Sequence, residues 1–387
     1  MKTIPYGRQY VGKADISETI KVLESNWLTQ GPKIGEFENA LKKYCGAKYA
    51  IAVSSGTAAL HIACLAAGLS KNDEAITSPI TFVATSNAIV YTGATPVFAD
   101  IDPCTNNIDP IRIAEKITSR TAAILPVHFA GLPCDMGKIH KIAKRNKLIV
   151  IEDACHALGA QYRYNNKWVR IGSCAHSDMT VFSFHPVKLI TTGEGGAVLT
   201  NCKEIYEKLM MLRSHGITKD KNRFVDKRNK ACGWYYEMQE LGFNYRITDF
   251  QCALGISQLK RLDKFLSRRS EIAHMYSKEL DKFPGIILPA EGDGVISSWH
   301  LYPVRIHGMC RKEAFDYLRS KGIGVQVHYI PVYLQPYFSN LGYKKGICPL
   351  AEEFYITEIS LPIYPLLKDR EIKFIISVFK SMFKGAT

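Results

Sequence analysis

The sequence predicts an α/β fold: a three-layer domain whose largely parallel sheet carries helices on both faces, followed by a smaller α+β domain. Three observations carry this. From Lys48 to Asn201, short β-branched runs alternate with amphipathic stretches, the rhythm of strands joined by helical crossovers. After Gly242 the texture changes to one long helical pattern and then to mixed short runs. And 387 residues exceed what one small core organises, so two domains are expected. The boundary is placed near residue 250, giving a large domain 1–250 with an N-terminal arm and a small domain 251–387.

Taken in order, YAIAVSS (49–55) reads as a strand and TAALHIACLAAG (57–68) as the helix after it. EAITSPI (74–80) and TPVFADI (95–101) read as strands, with TFVATSNAIVYTG between them a helix closed by Gly93. TAAILPVHF (121–129), DMGKIHKIAKRNK (135–147) and LIVIEDA (148–154) give strand, helix and strand. The stretch 247–280 has apolar residues at helical spacing throughout. WHLYPVRI (299–306), a helix near 311–321 and the alternating run GVQVHYIPV (324–332) complete the small domain. In a parallel sheet the ligand sits at the carboxyl ends of the strands, so the search for chemistry starts there.

Composition narrows the classes. A hydrophobic share of 47% with 22% charged residues is that of a soluble enzyme. The nearly charge-free stretches 49–70 and 75–99 are long enough to span a bilayer, but Ser, Thr, Gly, Pro and Asn interrupt them. They read as the interior of an α/β core, with no membrane partner. No signal peptide is legible at the start. Eleven cysteines without a CxxC pair suit reduced thiols, a cytoplasmic location and no metal site. The net charge of +14 is compatible with nucleic acid, an anionic membrane surface or phosphate-bearing small substrates. No nucleic-acid-binding signature accompanies the basic stretch 213–230.

Four stretches at strand ends carry chemistry. In SSGTAAL (54–60), Gly56 allows a tight turn whose free N–H groups at a helix start can cradle a phosphate, although ordinary turn chemistry has the same form. In LIVIEDACHALGA (148–160), Asp153 follows an apolar strand core, where a carboxylate is costly to bury unpartnered. It reads either as a helix N-cap or as the acid that keeps a ring nitrogen protonated. His156 would stand near it if a helix begins there, and a structural hydrogen-bonding role is equally in character. In VFSFHPVKLITTGEGG (181–196), Ser183 lies at the strand mouth, and Lys188 stands among Phe182, Phe184, Val187, Leu189 and Ile190. Desolvation there lowers a lysine's pKa and frees its amine as a nucleophile. A site lysine, a ring-facing acid and a Gly-led phosphate turn are what pyridoxal 5′-phosphate requires.

Together SSGTAAL, ITFVATSNA, EDACHALGA, SFHPVKLITTGEGGAVLTN, LRSHGI and LGFNYRITDFQCALGISQL resemble the DegT/DnrJ/StrS family of sugar nucleotide aminotransferases. LTQGPKIGEFE (28–38) extends the resemblance over nearly the whole chain. It implies the aspartate aminotransferase-like fold, fold type I of pyridoxal phosphate enzymes. It also implies pyridoxal 5′-phosphate as cofactor, cycling through pyridoxamine phosphate, and a homodimer whose two active sites borrow residues from each other. By the same resemblance Lys188 is the Schiff-base lysine, Asp153 the carboxylate on the pyridine nitrogen and Ser183 a phosphate-binding hydroxyl. Phe82 is the ring on the cofactor face, Gly56 and Thr57 are the phosphate turn, and Asn244 reaches the phosphate of the other subunit's site. Many members have Gln where this chain has His156, whose imidazole can still donate to the cofactor's 3′-oxygen.

SSWHLYPVRI (297–306), GIGVQVHYIPVYLQPYF (322–338) and AEEFYITEISLPIYP (351–365) are most similar to a branch using L-glutamate and a UDP-linked 4-keto-6-deoxy sugar. Arg213, His215, Lys219 and Arg246 are then candidates for the anionic groups of that substrate, and Tyr6, Gln30, His328 and Tyr329 for its sugar. His328 ends the run GVQVHY and reads equally well as a structural strand-end histidine. A dehydratase on this fold would carry His at the position of Lys188, and a non-catalytic regulator would have lost Lys188 or Asp153. GLPCDMGK (131–138) has the wrong glycine spacing for a P-loop, and no GxSxG elbow occurs.

Overall fold

The computed structural model describes residues 3–383. Its centre is a seven-stranded sheet running, edge to edge, Tyr49–Val53, Gly196–Thr200, Met179–Ser183, Ile149–Asp153, Thr121–Leu125, Glu74–Thr77 and Thr95–Phe98. All neighbours are parallel except the pairings of Gly196–Thr200, which is antiparallel to both its partners. Every residue of Glu74–Thr77 and of Gly196–Thr200 is buried, because helices cover both faces, as parallel sheets require. On one face Gly56–Ala66, Ala84–Tyr91 and Lys203–Arg213 pack through Leu60, Ile62, Ile89, Leu209 and Leu212. On the other, Pro32–Cys45, Met136–Asn146 and Asp249–Leu259 pack through Phe37, Leu41, Ile139 and Cys252. The two charge-poor stretches lie largely in these layers, and no described helix is long and apolar enough to cross a membrane.

A separate core is built mainly from residues 272–382, where Tyr276, Tyr302, Ile323, Leu361 and Phe379 surround a three-stranded sheet. Its strands run in the order Ile286–Ile287, Tyr302–Ile306, Glu358–Leu361. Ile4 also joins this core, bridging Ile323 and exchanging backbone hydrogen bonds with Gly322 and Gly324 at 2.9 and 2.7 Å. The N-terminal arm is thereby fastened across the chain, and Tyr6 accepts the N–H of Ile363.

Three expectations need correction. The helical pattern 247–280 is two helices, Asp249–Leu259 and Leu262–Leu280. The break has a tertiary cause. Buried Asp15 accepts hydrogen bonds from Ser257 at 2.6 Å and Gln258 at 2.8 Å and pairs with Arg261, which fixes the chain where the second helix begins. The run 324–332 forms no ladder, only an isolated bridge from Gln326 to Ser360. And no helix begins after Asp153: residues 154–160 are turns.

Candidate active site

The strand Ile149–Asp153 delivers Asp153 at its carboxyl end, 5% exposed. Its Oδ2 accepts the Thr85 hydroxyl at 2.6 Å and its Oδ1 accepts the Cys155 N–H at 3.1 Å. Thr85 is itself buried in the helix Ala84–Tyr91 and is held by Thr81 at 2.8 Å. The N-cap reading of Asp153 therefore fails, since its side chain caps a turn and takes a hydroxyl from another element.

The neighbouring strand Met179–Ser183 ends at Ser183, and Lys188 follows in the loop after it. Lys188 is half-buried, and its Nζ bonds no described residue while staying open to solvent. Burial pulls its pKa below the ordinary lysine value, against the opposing pull of Cys155 and Asp153. This is the environment of a nucleophilic or proton-transferring amine rather than of a surface lysine.

Gly56 opens the helix Gly56–Ala66 behind the N-cap Ser55, which accepts the Ala58 N–H at 3.0 Å. A Cβ on Gly56 would stand 2.8 Å from the Ser183 Cβ and 3.5 Å from the Cys155 sulfur. The helix start, the Ser183 hydroxyl and the Cys155 turn thus converge, and only glycine permits the approach. Thr57 follows, half-buried. Phe82 is 58% exposed, its ring 6.3 Å from that of Tyr329.

His156 is buried, with its Nε2 3.3 Å from the Tyr329 hydroxyl and no partner for its Nδ1 among the described residues. Burial, then Lys188 and His328, hold its pKa well below the usual histidine range, so the imidazole is neutral. His328 is held near 3 by burial and by Lys188. Tyr6 lies 5.5 Å from the His328 ring, and burial raises the phenol pKa of both Tyr6 and Tyr329.

The remaining candidates fall elsewhere. Gln30, His215, Lys219 and Arg246 line a cleft of 770 Å³ together with Trp234. Asn244 is exposed, bridging Ser214, next to Tyr245 whose carbonyl accepts the Ser54 N–H at 2.8 Å. Arg213 is a correction: it is 8% exposed, its guanidinium donating to Glu38 at 2.6 Å and to the Ala52 carbonyl at 2.9 Å. Its charge is paired inside the fold, at the wall of a 270 Å³ pocket that it lines with Gln30, Glu38 and Arg246. Sequence reasoning missed Thr85 and His300. The latter's ring lies 4.4 Å from that of His156. The only available signal for Thr85 was Thr81 one helical turn before it in an otherwise apolar run.

The profile of the DegT/DnrJ/EryC1/StrS aminotransferase family matches residues 9–380. This chain belongs to that family. It is 42% identical over 390 residues to the spore coat polysaccharide biosynthesis protein SpsC of Bacillus subtilis, covering 99% of this chain and 98% of that one. It is 40% identical over 394 residues to the UDP-4-amino-4,6-dideoxy-N-acetyl-beta-L-altrosamine transaminase of Campylobacter jejuni, covering 99% of each. Among solved structures, Helicobacter pylori PseC, an aminotransferase of pseudaminic acid biosynthesis, superposes with a TM-score of 0.90 at 35% identity, covering 99% of this chain and 100% of that one. The sugar aminotransferase Spr1654 of Streptococcus pneumoniae in its pyridoxal phosphate form gives 0.91 at 30% identity over 100% of both chains, and its pyridoxamine phosphate form is also similar.

This DegT-family chain is a pyridoxal phosphate-dependent sugar aminotransferase with the aspartate aminotransferase-like, fold-type-I α/β fold. Its site fits the cofactor. The buried carboxylate, the amine open at its tip, the unpartnered Nδ1 of His156 and the cradle at Gly56 form a donor set matched to a phosphorylated pyridine aldehyde.

Proposed function

We propose that the chain moves an amino group from L-glutamate to C4 of UDP-2-acetamido-2,6-dideoxy-β-L-arabino-hex-4-ulose. The products are UDP-4-amino-4,6-dideoxy-N-acetyl-β-L-altrosamine and 2-oxoglutarate, on the route to pseudaminic acid. The observation that carries this reading is the Lys188 amine, open and depressed in pKa beside buried Asp153, in a chain 40% identical to a transaminase of that product.

When bound, pyridoxal phosphate supplies an electron sink for charge developing at the donor carbon. In this reading Lys188 is its covalent anchor, Asp153 its ring-nitrogen partner, and Gly56, Thr57 and Ser183 its phosphate contacts. Phe82 covers one ring face, His156 meets the 3′-oxygen, and Asn244 serves the phosphate of the other subunit's site. The Nζ of Lys188 removes the α-proton of glutamate in the first half and delivers a proton to C4 of the sugar in the second. Its lowered pKa makes the neutral amine accessible for that exchange. Because His156 and His328 stay neutral, they contribute hydrogen bonds without placing a second cation beside Lys188. Arg246 and Lys219 in the 770 Å³ cleft give a cationic surface for the diphosphate, with His215 beside them as a hydrogen-bonding side chain. The working unit is a cytoplasmic homodimer. The exposed Trp27, Leu28, Trp234 and Leu241 support it as apolar surface suited to a second copy.

A second reading is a keto sugar of another configuration or on a dTDP carrier, kept because the chain is as similar to SpsC, a spore coat polysaccharide biosynthesis protein, at 42% identity as to the altrosamine transaminase at 40%. Incubation with [¹⁵N]glutamate and a panel of UDP- and dTDP-linked 3- and 4-keto sugars decides between them. The first reading expects labelled 4-amino product from the β-L-arabino UDP sugar at the highest kcat/KM. Preference for a dTDP or 3-keto sugar would contradict it.

A further inference from the structure

Behind His328 stands a closed set of hydrogen bonds that the reaction above does not use. The His328 Nδ1 lies 2.9 Å from the Ser360 hydroxyl, which lies 2.5 Å from Oε1 of Glu358. The other oxygen of Glu358 accepts the backbone N–H of His328 at 2.8 Å. All three residues are buried, Glu358 fully. Glu358 and Ser360 are two apart on the strand Glu358–Leu361 and so share a face. The backbone of Ser360 donates to Gln326 at 2.8 Å, holding the segment that carries His328 against that strand.

The other ring nitrogen has a different setting. Nε2 bonds no described residue and is not cut off from solvent. The ring sits 5.5 Å from that of Tyr6 and 4.8 Å from that of Tyr329, which in turn reaches His156. Lys188 acts on it electrostatically.

A serine hydroxyl has one proton. If Glu358 is ionised, that proton points at the carboxylate, and Nδ1 must carry its own hydrogen to bond Ser360. If Glu358 is protonated, its O–H donates to Ser360, the serine donates to Nδ1, and the ring hydrogen lies on Nε2. The charged neighbours decide between these. Arg305, opposite Glu358 across the strand pair, bonds Glu353 and Thr357 instead. Arg311, on the helix Arg311–Ser320, pairs with the Tyr355 carbonyl and acts on Glu358 only from a distance. Burial without a bonded cation pushes the Glu358 pKa up to about 8, so the protonated arrangement prevails at neutral pH. His328 takes no second proton there, since burial and Lys188 oppose it.

We propose that Glu358 and Ser360 are positioning residues that fix His328 as its Nε2–H tautomer, so that a neutral imidazole offers a hydrogen-bond donor to a ligand oxygen beside Lys188. The identity of that oxygen, a hydroxyl or carbonyl of the keto sugar, rests on the proposed function. The tautomer does not.

The test is ¹⁵N magnetic resonance of the cofactor-loaded full chain labelled in histidine, with His328 assigned by difference from His328→Gln. Wild type should show Nε2–H at neutral pH and convert to Nδ1–H above about 8. In Glu358→Gln the amide oxygen must face the His328 N–H, so the NH₂ faces Ser360 and holds Nε2–H at every pH. The conversion should therefore vanish. Ser360→Ala should abolish the pH response, and Ser360→Thr, which keeps the hydroxyl, should restore it. Nδ1–H in wild type at neutral pH, or a conversion that persists in Glu358→Gln, would overturn the proposal. As a second readout, kcat/KM for the keto sugar should fall about tenfold as the donor is lost above that conversion in wild type and stay level in Glu358→Gln. If no keto sugar reacts, the substrate reading fails alone, because the tautomer is read without sugar.

Discussion

At Asp153 the buried carboxylate accepts two hydrogen bonds, from the Thr85 hydroxyl and the Cys155 N–H. Hydrogen bonds to a charged group contribute about 1.5–3 kcal/mol, so Thr85→Val should weaken cofactor affinity by at least about tenfold. Titration of cofactor into the stripped protein reads this directly, and unchanged affinity would remove Thr85 from the site. Lys188 and Asp153 were legible in the sequence because each breaks an apolar run at a strand end, where an unpaired charge would be expensive. Thr85 was not, because a hydroxyl in a helix breaks no pattern and its partner is 68 residues away. Arg213 shows the converse. A basic residue in a basic stretch looked like a substrate ligand, and only the fold shows Glu38 beside it.

Among the elements, the junction of Val53 with the helix Gly56–Ala66 sets the proposed phosphate cradle. Gly56→Ala puts a methyl 2.8 Å from the Ser183 Cβ, an overpacking that costs about 1–3 kcal/mol. The strain falls on the helix start and Ser183 rather than on the core. Affinity for pyridoxal phosphate should drop sharply while the melting temperature changes by only a few degrees. Equal affinity in the variant would dissociate Gly56 from the phosphate. Strand–helix alternation through residue 154 was readable because period and turn residues agree locally. The break at Lys260–Arg261 was not, since it depends on Asp15, some 246 residues distant from Arg261. Likewise 324–332 alternates as a strand does, yet its backbone hydrogen bonds go to scattered partners, Gly324 to Ile4, Gln326 to Ser360, His328 to the Glu358 side chain and Val332 to Pro79, rather than to one neighbouring strand.

Across the whole molecule, buried ion pairs and buried acids control how stability responds to pH and mutation. Glu38 and Arg213 join the helix Pro32–Cys45 to the end of Lys203–Arg213, with side chains 15% and 10% exposed. Removing one partner leaves an uncompensated charge, so Glu38→Gln should destabilise the chain by about 3 kcal/mol in urea unfolding. A loss below measurement error would show the pair to be solvated. Glu358 gives the pH dependence. Its folded pKa is raised to about 8 from 4.5, so its stabilising contribution is full below 4.5 and disappears as pH climbs through about 8. Wild type should accordingly lose urea resistance relative to Glu358→Gln between about pH 5 and pH 9. A constant difference would place Glu358 in water.

The claim that joins these scales is that Lys188 carries the cofactor and exchanges it with an amino donor. Its most direct test is the near-visible absorption of the cofactor-loaded full chain before and after L-glutamate, with Lys188→Ala alongside. The account predicts an absorption band from the lysine-bound cofactor in wild type that bleaches with glutamate, and no such response in Lys188→Ala. A wild-type band indifferent to glutamate, or an unaltered band and response in Lys188→Ala, would contradict it.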